Sequence, residues 1–200
     1  MLQISVPKQG AHQTNHRWLT FEVPTAPVMF AGSRNGLVDS ELARLVVQAF
    51  HNTGLNCSTG CATGIDESFR KAFSAEFRED LPDFVACAFE SRLAEADYLG
   101  LPATCVSGPR MQPVDALRYR TKWLAYNCSL LVLFPDDPET GDWGRGSLLA
   151  FHTARQLEKP IFVVSSKPPK QADEKDAIVQ ESDLFGLFQG TWVISGEIIP

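Results

Sequence analysis

Long apolar runs are missing from this chain. None approaches the roughly 18 residues a helix needs to cross a bilayer, so no membrane contact is expected. The opening stretch MLQISVPKQGAHQTNH has no apolar segment suited to a secretory leader. An excess of cations is missing as well. Eighteen Lys and Arg stand against 24 Asp and Glu, for a net charge of −6. A coat for duplex DNA needs cationic surface to release counterions, so duplex nucleic acid is a poor fit as partner. Histidine is scarce. His12 and His16 have i,i+4 spacing but no third ligand nearby, so no metal site and no cofactor is expected. The five cysteines are an odd number and do not suit a disulfide framework. Reduced thiols, and with them a cytoplasmic location, are the expectation. Internal repeats and low-complexity tracts are also absent.

What is present is strand–helix alternation. VMFAGSR (28–34) is a short apolar run that stops at Gly32, as a buried strand entering a turn does. DSELARLVVQAFHNTG follows, with Leu42, Leu45, Val46, Ala49 and Phe50 at helical spacing and Asp39 or Ser40 as cap. LNCSTG (55–60) reads as a strand and GIDESFRKAF (64–73) as a helix with Asp66 and Glu67 in its first turn. DFVACAF (83–89) is a third strand, and the segment 90–113 stays unassigned apart from a helical piece, ESRLAEADYLG. Leu117, Thr121, Leu124 and Ala125 form a helical stripe before SLLVLFP (129–135), which is apolar enough to be covered on both faces. A glycine loop, DDPETGDWGRGS, leads to a helix with Ala150, Thr153, Ala154 and Leu157 on one face. KPIFVVSS (159–166) is a further strand, 167–176 an exposed loop, and TWVIS (191–195) a last edge strand. RWLTFEV (17–23) is the one strand-like piece of the first 26 residues.

This order predicts an α/β protein: a single-domain, Rossmann-like three-layer sandwich with a mostly parallel sheet. Residues 1–26 form an N-terminal extension, 27–166 the core, and 167–200 a loop and edge segment of the same domain. Ligands of such sheets bind beyond the carboxyl ends of the strands, where strand order reverses. Three turns fall there: GSRNG (32–36), STGCATG (58–64) and the loop 136–147. Glycine lets backbone approach a ligand closely, and a helix N-terminus behind it supplies N–H donors for an anion. The candidate binding residues are Gly32, Ser33, Arg34, Gly60, Gly64, Asp66, Arg120, Gly144, Gly146 and Ser147.

FAGSR, then a helix, then GLNCSTGCATGIDESF, resembles the DNA-processing-A/LOG superfamily of Rossmann-like nucleotide-binding proteins, often called SLOG. LRYRTKWLAYNCSLLVLFP, the glycine loop and ARQLEKPIFVV look like its second half. The resemblance covers residues 27–166 and implies a nucleotide or nucleotide-derived ligand and a possible homodimer. Gly32, Ser33 and Arg34 match the first turn, and Gly60, Gly64 and Asp66 the second. Phosphoribohydrolases of the LOG branch add an arginine, matched by Arg120, and a glutamate after the glycine loop. Ala150 occupies that place, and alanine does no acid–base work. Three readings follow: binding or sensing of a nucleotide-derived small molecule; N-glycosidic hydrolysis of a nucleoside monophosphate by a displaced carboxylate; and single-stranded DNA handling.

Several residues keep two readings. Arg120 flanks the buried stripe of its helix and needs either a ligand anion or an internal carboxylate. Asp66 caps its helix or meets a ribose hydroxyl, and Trp143 stacks on a base or plugs its loop. Cys57 and Cys61 have no second pair at zinc spacing and read as small apolar residues.

Overall fold

The structure is a computed structural model and describes residues 2–7, 18–23, 26–137, 143–165, 170 and 177–194. β1 (Leu2–Pro7) and β2 (Trp18–Val23) form an antiparallel pair of their own. The remaining order is β3 (Val28–Gly32), α1 (Ser40–Asn52), β4 (Cys57–Gly60), α2 (Ile65–Ala75), β5 (Phe84–Cys87) and α3 (Leu93–Tyr98). It continues with β6 (Ala103–Cys105), α4 (Pro113–Asn127), β7 (Leu130–Phe134), α5 (Gly144–Gln156), β8 (Ile161–Val163), β9 (Ala177–Leu184) and β10 (Phe188–Ile194).

Eight strands make one sheet in the order β6-β5-β4-β3-β7-β8-β10-β9. The first six run parallel, β10 runs antiparallel to both of its neighbours, and β9 again points the way of the first six. The chain steps outward from β3 to β6, then returns to lay β7 beside β3. Strand order therefore reverses between β3 and β7, which opens a crevice at their carboxyl ends. These two strands share their longest parallel register, from Val28 opposite Leu130 to Gly32 opposite Phe134.

Alternation along the central strands builds two cores, one on each face. Val28, Phe30, Leu130 and Val132 face α1 and α2, while Met29, Ala31, Leu131 and Leu133 face α4 and α5. The expected three layers are thus present. Phe30 stacks on Phe69 of α2 with centroids 3.9 Å apart, and Phe50 of α1 meets Phe30 edge-on at 5.9 Å. Such ring pairs add about 0.5–1.5 kcal/mol each beyond burial. They fix α1 and α2 to β3, and so fix the turns that precede those helices. Asp39 caps α1, accepting from the N–H groups of Glu41 at 3.0 Å and Leu42 at 3.1 Å.

Some expectations change. TWVIS is no edge strand: β10 lies between β8 and β9, and β9, which alternation did not reveal, is the edge. β1 was also not foreseen, and the unassigned segment 90–113 supplies α3 and the opposite edge strand, β6. On α1 the buried face is Ala43, Val46, Val47 and Phe50, and Leu45 is exposed. Most of the loop 167–176, and His12 and His16, lie outside the described residues.

Candidate functional site

Two of the three glycine turns are stitched together at the rim. After β3 the Ser33 hydroxyl accepts the N–H groups of Asn35 and Gly36, both at 2.9 Å, and donates to Asp136 at the end of β7. The Ser33 carbonyl accepts the Ile65 N–H at 3.0 Å, and the Arg34 carbonyl accepts the Thr63 hydroxyl at 3.4 Å. The turn after β4 is thereby pressed onto the turn after β3. Gly64 sits at the contact with φ of 73°, and a Cβ there would lie 2.6 Å from the Arg34 carbonyl. Gly32 lies at the seam of β3, β7 and the start of α2.

Beneath these turns is an ion pair. Arg120 of α4 reaches under β4 and donates to Asp66 at 2.8 Å, both side chains nearly buried. Gly60 leaves the room: a Cβ there would overlap the guanidinium. Burial pulls the Arg120 guanidinium down, and the charge and hydrogen bond of Asp66 more than offset it, so its pKa lies above the ordinary value. Asp66 also accepts the Ala62 N–H at 3.2 Å. Of the two partners considered for Arg120, the structure shows the internal carboxylate. Its Nε has no partner among the described residues.

Arg70 belongs to the same assembly and was missed in the sequence. It is 2% exposed, donates to the carbonyls of Gly60 at 3.0 Å and Ala62 at 2.7 Å, and pairs with Glu95 of α3 at 2.6 Å. It clamps the turn after β4 from below. The signal was its position, four residues after Asp66 and beside Phe69 on the buried side of α2.

The third turn meets the first through Asp136. A Cβ on Gly144 would stand 3.4 Å from the second Asp136 oxygen. Among the described residues no side chain caps α5. Gly146 is exposed with open space around it, and Ser147 is buried. Trp143 is 1% exposed and meets Phe151 edge-on at 5.2 Å, so it plugs the loop. Ala150 is fully buried. Arg34 and Arg145 are exposed. Residues 138–142, with Glu139 and Asp142, lie outside the described residues.

A second polar cluster lies at the opposite end of the sheet. His51, Cys57 and Asp83 hold ligand atoms within 4.8 Å of one another and are all buried. One Asp83 oxygen accepts the Cys57 N–H at 2.6 Å and faces His51 Nε2 at 2.9 Å. Burial, then the Asp83 charge, pushes the Cys57 thiol well up, which makes it a poor metal ligand or nucleophile. The arrangement joins α1 to the start of β4. Asp83→Ala should leave a buried backbone donor unpaired and lower stability by about 2 kcal/mol or more. A urea midpoint that falls at unchanged slope would report it.

The fold and rim define a Rossmann-like α/β protein whose switch point is lined by two stitched turns and the start of a helix. No family model and no curated protein matches the sequence. Among solved structures the chain is similar to DNA processing protein A from Streptococcus pneumoniae. There the TM-score is 0.54 at 19% identity over 71% of this chain and 51% of that one. It is also similar to DNA processing protein A from Helicobacter pylori, whose structure is described by its single-stranded DNA binding mode. The TM-score is 0.53 at 14% identity over 72% of this chain and 66% of that one. At these identities the likeness is one of fold, and the chain spans only about half to two thirds of either neighbour. The shared fold is the one the sequence resemblance implied.

Proposed function

We propose that the chain binds a nucleotide or a nucleotide-derived small molecule at the carboxyl-end rim between β3 and β7. The observation that carries this reading is the meeting, at the switch point, of the exposed Arg34 turn with the start of α5. Among the described residues no side chain caps that helix, and no acid stands in its first turn. The amides of Arg145 and Gly146 belong to the part of a helix that lacks intrahelical acceptors, and the helix dipole favours an anion there. Arg34 adds a guanidinium that forks onto phosphate. Arg120 and Asp66 act as the floor of the site, holding the second turn in place.

Calorimetric titration with nucleoside mono-, di- and triphosphates, dinucleotides and cyclic nucleotides tests the proposal. At least one should bind, and Arg34→Ala should weaken it about tenfold or more, the worth of a charge-assisted hydrogen bond. Arg78→Ala, at the far end of α2, should leave the affinity unchanged. No binding across the whole panel would remove the reading.

Single-stranded DNA is the second reading, supported by the fold shared with a DNA processing protein A described as binding it. The net charge of −6 weighs against a cationic groove. A mobility shift at low salt that fades as salt rises would favour it. Glycosidic hydrolysis has less support. The rim carboxylates Asp66 and Asp136 are bonded to Arg120 and Ser33, and Ala150 stands at the glutamate position.

A further inference from the structure

Three of the five cysteines end neighbouring strands on one rim. The ladder sets Gly60 of β4 opposite Ala86 of β5, and the next residues along the two strands are Cys61 and Cys87. Cys87 is in turn opposite Cys105 of β6. Adjacent strands lie about 4.8 Å apart, inside the Cα separation of about 4.4–6.8 Å that a disulfide tolerates. Cys61 and Cys87 lie in the same buried cluster beside β4 and β5, whereas the Cys105 sulfur turns to the Ser107 carbonyl at 3.8 Å. Cys61 keeps 5% of its surface open and Cys87 none.

We propose that Cys61 and Cys87 are a peroxide-oxidisable dithiol, with Cys61 the sulfur attacked first and Cys87 the one that resolves it. The Cys61 thiolate attacks one oxygen of hydrogen peroxide; the O–O bond breaks, an S–O bond forms, and hydroxide leaves and is protonated to water. The Cys87 sulfur then attacks Cys61 Sγ; the S–S bond forms, the S–O bond breaks, and a second water departs with the Cys87 proton. Two thiols lose two electrons and one peroxide gains them. The groups around Cys61 favour its thiolate. Hydrogen bonding by the neighbouring Cys87 holds the Cys61 thiol below its ordinary value, with further help from the Ala88 N–H and the Arg120 charge; burial and Asp66 oppose them. Cys87 is held up by that same hydrogen bond and by burial, so its proton stays until the resolving step. The other cysteines are poorer targets: burial pushes Cys57 well up and Cys128 up to about 11. The disulfide ties the turn after β4, one wall of the rim, to β5. The dithiol does not depend on what the rim binds, so its failure and that of the ligand reading are separable.

The test treats the reduced full chain with hydrogen peroxide near pH 7 and maps its peptides without reduction. The expected result is loss of two of the five thiols and a peptide cross-linked through Cys61 and Cys87. In Cys87→Ser, dimedone should trap a sulfenic acid at Cys61. Iodoacetamide labelling of Cys61 in the wild-type chain should reach half its maximal rate at a pH below the ordinary thiol value. A Cys87–Cys105 cross-link, five intact thiols, or a labelling midpoint near the ordinary thiol value of about 8.5 would each overturn the proposal. The wild-type mapping and labelling decide the matter even where a serine variant fails to fold.

Discussion

Arg120→Ala is expected to cost about 3–5 kcal/mol of folding stability, the usual consequence of leaving one charge of a buried pair alone. Asp66 and Arg120 are each 6% exposed and 2.8 Å apart. Without the guanidinium, the Asp66 carboxylate keeps only the Ala62 N–H, at 3.2 Å. A cavity then opens under Gly60, because that residue has no Cβ to fill the space. Urea unfolding of Arg120→Ala, Asp66→Ala and the double variant forms the deciding cycle. The double variant should be less destabilised than the sum of the two single ones, because it leaves no orphaned charge. A loss below about 1 kcal/mol in Arg120→Ala would show that solvent reaches the pair and that it resembles a surface bridge. Arg120 would then be available to a ligand anion, as one reading of the sequence had it.

That pair shows where reading the sequence succeeded and where it stopped. β3, β4, β5, β7 and β8 were legible because apolar runs ending in glycine or polar turns have few other uses. The switch-point rim followed from their order. Spacing alone did not say that Gly60 is small for the sake of a side chain 60 positions away, or that Asp66 would spend its charge on Arg120. Both facts need the parallel crossover that lays α4 beneath β4. Arg70 stayed hidden for a related reason: it sits on the Phe69 side of its helix, where a cation is read as a break in the stripe. His51 and Asp83 are 32 residues apart and join across the start of β4, which no periodicity records. The edge strands were lost because β6 is three residues with an exposed centre, and AIVQESDL of β9 carries too much charge for clean alternation.

Gly64→Val should be the most damaging change at the rim, with a stability loss of about 3 kcal/mol or more. A φ of 73° costs an L residue roughly 1–2 kcal/mol, and a β-branched side chain tolerates it poorly. The new Cβ would also meet the Ser33 and Arg34 backbone. Backbone cannot rotate away as a side chain does, so the two turns must part. Parting them breaks the Ile65 N–H bond to the Ser33 carbonyl and the Thr63 bond to the Arg34 carbonyl. Any nucleotide that the wild-type chain binds should be lost by at least tenfold, even at temperatures where the variant stays folded. Gly146→Val is the matched control. Among the described residues nothing lies within 4 Å of its would-be Cβ, so its stability should stay within about 0.5 kcal/mol of wild type. Exchanging Cys57 and Cys61 for alanine under reducing conditions should spare that binding, since neither thiol is assigned to the ligand. Loss of binding on changing the cysteines, with Gly64→Val as stable as wild type, would reverse the roles given to this turn. Its sulfurs would then be the working groups and its glycines mere connectors.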